Sequence, residues 1–169
     1  LVNSVFSKVY KKYDLMNDFM SLGIHRIWKN KFIEWMNPRP DSKLVDVASG
    51  TGDIAKLFSE KSNNFSKITC VEPNVEMLKQ GKTNLKKFKN IKWIKGNAEK
   101  LPLNSNTFDF YTISYGVRNV IDINKALSEA FRVLKPGGRF MCLEFSKIDN
   151  EILNFFYKQY SKTIPLIGK

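Results

Sequence analysis

The stretch Leu44-Val45-Asp46-Val47-Ala48-Ser49-Gly50-Thr51-Gly52-Asp53-Ile54-Ala55 constrains this chain more than any other. An apolar run suited to a buried strand enters two glycines one residue apart, and apolar residues at helical spacing follow. A strand that turns through glycines into a helix offers backbone N–H groups to a ligand, with no Cβ to keep that ligand away.

The same alternation continues along the chain. Strands are expected near 43–48, 67–71, 91–95, 108–114 and 138–145, with helices near 54–59, 75–86 and 123–134 and a loop over 101–107. Asn74 and Asp122 stand where helix N-caps are needed, and Lys135-Pro136-Gly137-Gly138 reads as a helix stop that turns into the fifth strand. Alternating strands and helices predict an α/β fold: a mostly parallel sheet, helices on both faces, and strand ends gathered at one ligand-binding edge.

Two cofactor classes fit the loop. As Gly50-x-Gly52-x-x-Ala55, with Glu72 twenty residues after Gly52, it matches a dinucleotide fingerprint. Charge argues the other way, because Asp53 at the helix start would repel a pyrophosphate. S-adenosylmethionine has no phosphate and carries a sulfonium and an ammonium, so Asp46 and Asp53 give it anionic surroundings. A purely structural alternative has both aspartates capping or ending elements.

Composition narrows the partners. The 169 residues carry a net charge of +12, and Lys79, Lys82, Lys86, Lys87, Lys89, Lys92 and Lys95 crowd together. With 23 lysines and 16 asparagines against 5 arginines, this reads as a solvated lysine face, with attraction to anionic lipid as its functional alternative and no specific nucleic acid as partner. A non-catalytic RNA-binding or scaffold module is the rival reading of that face. No apolar run is long enough to span a bilayer, and Leu1-Val2-Asn3-Ser4 has neither an initiator methionine nor a signal pattern, so the chain reads as cut from a longer one. Cys70 and Cys142 fall in expected strands as reduced core residues. His25 is the only histidine and no carboxylate cluster has ligand spacing, so no metal is expected.

Longer motifs carry a resemblance. The Asp46-to-Gly52 loop, Glu72, Gly96-Asn97-Ala98-Glu99-Lys100-Leu101-Pro102 and Arg132-Val133-Leu134-Lys135-Pro136-Gly137-Gly138 together resemble the class I, Rossmann-like S-adenosylmethionine-dependent methyltransferases. Tyr13 to Arg26, Ser114-Tyr115-Gly116-Val117-Arg118-Asn119-Val120, Leu143-Glu144-Phe145-Ser146 and Ile164-Pro165-Leu166-Ile167-Gly168 resemble the UbiE-type C-methyltransferases of ubiquinone and menaquinone biosynthesis. Glu72 departs from the family, which commonly has aspartate there.

The resemblance implies one methyltransferase domain with an N-terminal helical lid over about 1–37 and closing C-terminal strands that this chain lacks. It implies cofactor contacts from Asp46, Gly50, Thr51, Gly52, Glu72 at the ribose, Asn97 and Ala98 at the adenine, and Ser114. Arg118 and Asn119 are the expected catalytic pair, Arg118 as an electrostatic stabiliser or water-orienting group because arginine stays protonated; the alternative is a turn held by Arg118 to a carbonyl. Tyr13, Met16, Met20, His25 and Tyr115 are the expected substrate contacts, although the apolar members among Met16, Phe19 and Met20 would equally suit a core helix, and a lone histidine a structural role. The implied substrate is a polyprenylated benzoquinol, with demethylmenaquinol as the alternative. The implied setting is the bacterial cytoplasm near the inner membrane, or the matrix face of the mitochondrial inner membrane, with peripheral membrane association and a homodimer or quinone-biosynthesis complex as partners.

Overall fold

The computed structural model describes residues 23–145. Strands β1 (Lys43–Val47), β2 (Lys67–Glu72), β3 (Ile91–Lys95), β4 (Phe108–Ser114) and β5 (Leu134–Leu143) form one sheet in the order β3-β2-β1-β4-β5, every pairing parallel. Helices α1 (Ile24–Met36), α2 (Asp53–Lys61), α3 (Val75–Asn84) and α4 (Ile123–Val133) accompany it, with a 3-10 turn at Val117–Asn119. The order reverses at β1, so the chain runs outward to β3 and then crosses back to β4. That switch point is where open parallel sheets hold ligands.

Strand periodicity sorts the core into two clusters. Val45, Val47, Val71, Tyr111 and Ile113 pack on one face with Ala126, Ala130 and Val133 of α4. On the other, Leu44, Ile68, Cys70 and Phe110 meet Ile54, Ala55 and Phe58 of α2 together with Phe32, Ile33 and Met36 of α1. Asp46, two residues beyond Leu44, therefore lies on the α1–α2 face, where it is 1% exposed.

The expected caps are present. Asn74 Oδ1 accepts from the N–H groups of Glu76 and Met77 at 3.0 Å, and Asp122 Oδ1 accepts from Lys125 at 3.1 Å. The β5 entry differs from expectation: the strand begins at Leu134, not Gly138. Leu134 pairs with Phe108 and Arg139 with Phe110, so residues 135–138 bulge out against the single residue Asp109. Proline lacks an N–H for the ladder, Gly137 takes φ +78°, and the Lys135 ammonium pins the bulge to Asp109 at 2.6 Å. Cys142, expected in the core, is exposed on β5.

The described part of the expected lid is a core helix. His25, Lys29, Phe32, Ile33 and Met36 recur at helical spacing and form the buried face of α1. Tyr13, Met16 and Met20, like the Ile164 to Gly168 motif, lie outside the described residues.

Candidate cofactor and acceptor site

Because every strand is parallel, the ends of β3, β2, β1, β4 and β5 reach the same edge in that order. The residues singled out from sequence line up accordingly: Asn97 after β3, Glu72 ending β2, Asp46 to Gly52 at β1, and Ser114 and Tyr115 at β4; Glu144 follows β5 on the same edge.

At the centre is a cavity walled by Asp46, Gly50, Thr51, Ser114 and Tyr115, together with Lys29 and Asp53. The chain leaves β1 through Ala48 at φ 52°, and Gly50 and Gly52 follow at +57° and +91°, so the loop folds back tightly enough for Gly52 N–H to reach Ser49 O at 2.9 Å. Glu72 braces this loop from the neighbouring strand. Its Oε2 accepts from Gly50 N–H at 2.8 Å and its Oε1 from Asn74 N–H at 2.9 Å. A carboxylate has about four lone-pair sites, so two remain for further donors. Burial raises the Glu72 pKa above the usual carboxylate range, and these two N–H groups oppose that rise.

Asp46 is a buried carboxyl of the site. Register places it between Cys70 and Thr112, and the Thr112 hydroxyl donates to Oδ1 at 2.7 Å. Its Oδ2 has no hydrogen-bond partner among the described residues, and neither has Ser114 Oγ. Burial pushes the Asp46 pKa up to about 7; the Thr112 hydroxyl pulls against this, and repulsion from Glu72 and Asp53 adds to it.

Lys29 is the site residue that sequence reasoning missed. Its side chain is 8% exposed and its Nζ lies 2.5 Å from Asp53 Oδ2, tying α1 to the first turn of α2. A signal existed: Phe32, Ile33 and Met36, three, four and seven residues on, are all apolar and mark Lys29 as a cation on a helix's inner face. Glu144 was missed as well.

The expected catalytic pair sits one strand over. Arg118, in the 3-10 turn, donates to Glu144 Oε1 at 2.8 Å, so its partner is a carboxylate where a carbonyl was the structural alternative. Its guanidinium lies 5.5 Å from the Phe145 ring, which stacks on Tyr115 at 4.7 Å and meets Trp28 edge-on at 6.0 Å. Tyr115 lines the cavity and belongs to this aromatic cluster, so the two places adjoin. Asn119 is exposed, with its N–H on Gly116 O at 3.0 Å. Asn97 Oδ1 accepts from Lys100 N–H at 3.1 Å and shapes the turn after β3, while Ala98 is buried in the core. His25 is buried on α1 and is not among the residues lining the cavity. Among the described residues no group of histidine, cysteine or carboxylate side chains could hold a metal ion, and no helix is long and apolar enough to cross a membrane.

A parallel 3-2-1-4-5 sheet with an acidic glycine loop at its switch point defines a class I S-adenosylmethionine-dependent methyltransferase. Solved structures agree on the fold. The YcgJ protein of Bacillus subtilis superposes with a TM-score of 0.66 at 26% identity, over 78% of this chain and 56% of that one. A SAM-dependent methyltransferase from Aquifex aeolicus gives 0.66 at 22% identity, over 73% and 66%. More narrowly, the model of the ubiE/COQ5 methyltransferase family matches residues 1–169, and the chain belongs to that family. Proteins named ubiquinone/menaquinone biosynthesis C-methyltransferase UbiE are similar throughout. That of Rickettsia typhi is 55% identical and that of Rickettsia prowazekii 54%, each over all of this chain and 71% of the relative.

S-adenosylmethionine is the cofactor, and the charges of the cavity suit its cationic amino-acid end. Asp46 Oδ2 is a buried acceptor with no partner among the described residues, of the sign an ammonium or sulfonium needs. Gly50 N–H is already committed to Glu72, and Asp53 lines the same wall. A pyrophosphate would meet carboxylates there, so the nicotinamide reading gives way.

Proposed function

We propose that the protein methylates a ring carbon of a polyprenylated benzoquinol, the 2-methoxy-6-polyprenyl-1,4-benzoquinol of ubiquinone biosynthesis, with demethylmenaquinol as the alternative acceptor. The observation that carries this reading is the adjacency of the acidic cofactor cavity to the Trp28–Tyr115–Phe145 cluster through Tyr115. The names of the UbiE relatives supply the substrate class.

The bound cofactor supplies an electrophilic methyl group. The aromatic cluster offers flat apolar surface for a quinol ring. Arg118, protonated at all ordinary pH values, stabilises the phenolate that makes the ring carbon nucleophilic. Glu144, held by Arg118, orients that guanidinium and is placed to take a proton through water. With the cofactor bound, the proton that the quinol hydroxyl loses would pass through water to Glu144, methyl transfer to the ring carbon would leave S-adenosylhomocysteine, and the proton of the methylated carbon would then return to the ring oxygen. With the cofactor bound, Glu72 would hold the ribose, Asn97 and Ala98 would contact the adenine, and Ser114 would contact the cofactor from the end of β4. A peripheral position at the quinone-bearing membrane completes the proposal, the exposed lysines of α3 and β3 facing anionic lipid.

The test is transfer of a labelled methyl group to a short-chain 2-methoxy-6-prenyl-1,4-benzoquinol, with a demethylnaphthoquinol in parallel. A product labelled at the ring carbon, formed from the quinol and not from the quinone, upholds the reading. Cofactor binding without transfer to either quinol overturns the acceptor assignment.

A further inference from the structure

We propose that Lys29 is a cofactor-binding residue that takes the carboxylate of the S-adenosylmethionine amino-acid group and thereby fastens α1 to the occupied site. The inference rests on S-adenosylmethionine occupying the switch-point cavity.

A buried ammonium is costly unless its donors are used. Lys29 is 7% exposed as a residue, yet only one of its three donors has a hydrogen-bond acceptor among the described residues, Asp53 Oδ2 at 2.5 Å. The Asp53 side chain is 41% exposed, so this ion pair alone does not require an α1 lysine to be carried into the interior. Lys29 also lines the cavity, where it is the only cationic side chain among the described residues and faces a wall that includes Asp46 and Asp53.

The amino-acid end of S-adenosylmethionine bears two positive groups and one negative one. Asp46, with an unpartnered Oδ2 among the described residues, and Asp53 answer the ammonium and sulfonium. Among the described lining side chains, Lys29 alone carries the charge that answers the carboxylate. The contact has a structural corollary, because Trp28 immediately precedes Lys29 on α1 and meets Phe145 edge-on. Gripping the cofactor at Lys29 holds one wall of the acceptor cluster in place.

Calorimetric titration with S-adenosylmethionine and with decarboxylated S-adenosylmethionine tests this, since the second ligand keeps the ammonium and sulfonium and lacks only the carboxylate. The unaltered protein should bind the complete cofactor about 10- to 100-fold more tightly, the range of a charged hydrogen bond. Lys29→Met should erase that preference by weakening the complete cofactor alone, and Lys29→Arg should restore most of it. Equal affinity of the unaltered protein for both ligands overturns the inference without any variant. Equal loss for both ligands in Lys29→Met makes the lysine a strut between α1 and α2, and unchanged or tighter binding makes it a cation that the ligand displaces; either overturns it. Failure of the unaltered protein to bind either ligand would instead overturn the cofactor assignment.

Discussion

Asp46 shows how one residue couples fold and function. Its carboxyl holds a proton in the folded chain that the unfolded chain releases, because the folded pKa is raised to about 7 from an ordinary 3.8. The contribution to stability is therefore full below about pH 4 and is lost as pH rises through about 7. Asp46→Asn should flatten that part of the pH profile, as read from urea midpoints between pH 5 and 8. A cationic ligand favours the ionised form, so cofactor binding at pH 6 should release about one proton, falling away by pH 8. Titration in buffers of different ionisation enthalpy measures this, and a proton count near zero at pH 6 would refute it. Glu72 was legible from sequence as a carboxylate at the end of the second strand, but its bond to Gly50 N–H was not. No pattern in one segment reveals which backbone donor a neighbouring strand presents. Glu72→Ala should therefore lose cofactor binding and also about 1–3 kcal/mol of stability from two unsatisfied N–H groups.

At the scale of elements, close approach matters as much as propensity. Gly81 lies within α3, where alanine would ordinarily be favoured by about 1 kcal/mol. A Cβ at Gly81 would fall 2.1 Å from Trp93 Cη2. Steric conflict outweighs propensity, so Gly81→Ala should destabilise the fold by about 1–3 kcal/mol in urea denaturation. Trp93→Leu in the same chain should recover part of the loss, and additive losses would exclude the contact as the cause. Strand and helix order was readable because each element carries its own periodicity and cap. The β5 entry was not, since Pro136-Gly137 signals a turn in any context and it is the pairing of Leu134 with Phe108 on the neighbouring strand that makes it a bulge. The spacing of Phe32, Ile33 and Met36 marked Lys29 as inward-facing, but its pairing was not legible, because Asp53 comes from a different helix.

For the whole molecule, the reversal of strand order at β1 separates two groups of residues along one edge. Asn97, Glu72 and the glycine loop stand on the β3-to-β1 half, and Tyr115, Arg118, Glu144 and Phe145 on the β4-to-β5 half. Arg118→Met should lower kcat by about 10²–10³, as loss of one stabilising charge does, while S-adenosylmethionine affinity changes by less than about threefold. Comparable losses in both quantities would refute the separation. Both halves were visible as motifs before any coordinates, whereas their juxtaposition through Tyr115 depends on β4 lying between β1 and β5.

The parallel ladder also bears on how such an enzyme diversifies. Each strand end contributes its own side chains to a common rim while the hydrogen-bonded register behind it stays fixed. Substitutions beyond Tyr115 and at the end of β5 can thus re-aim the protein at a different acceptor while the glycine loop and Glu72 stay intact, so that inherited methyl-donor use and newly acquired acceptor choice meet only at Ser114 and Tyr115.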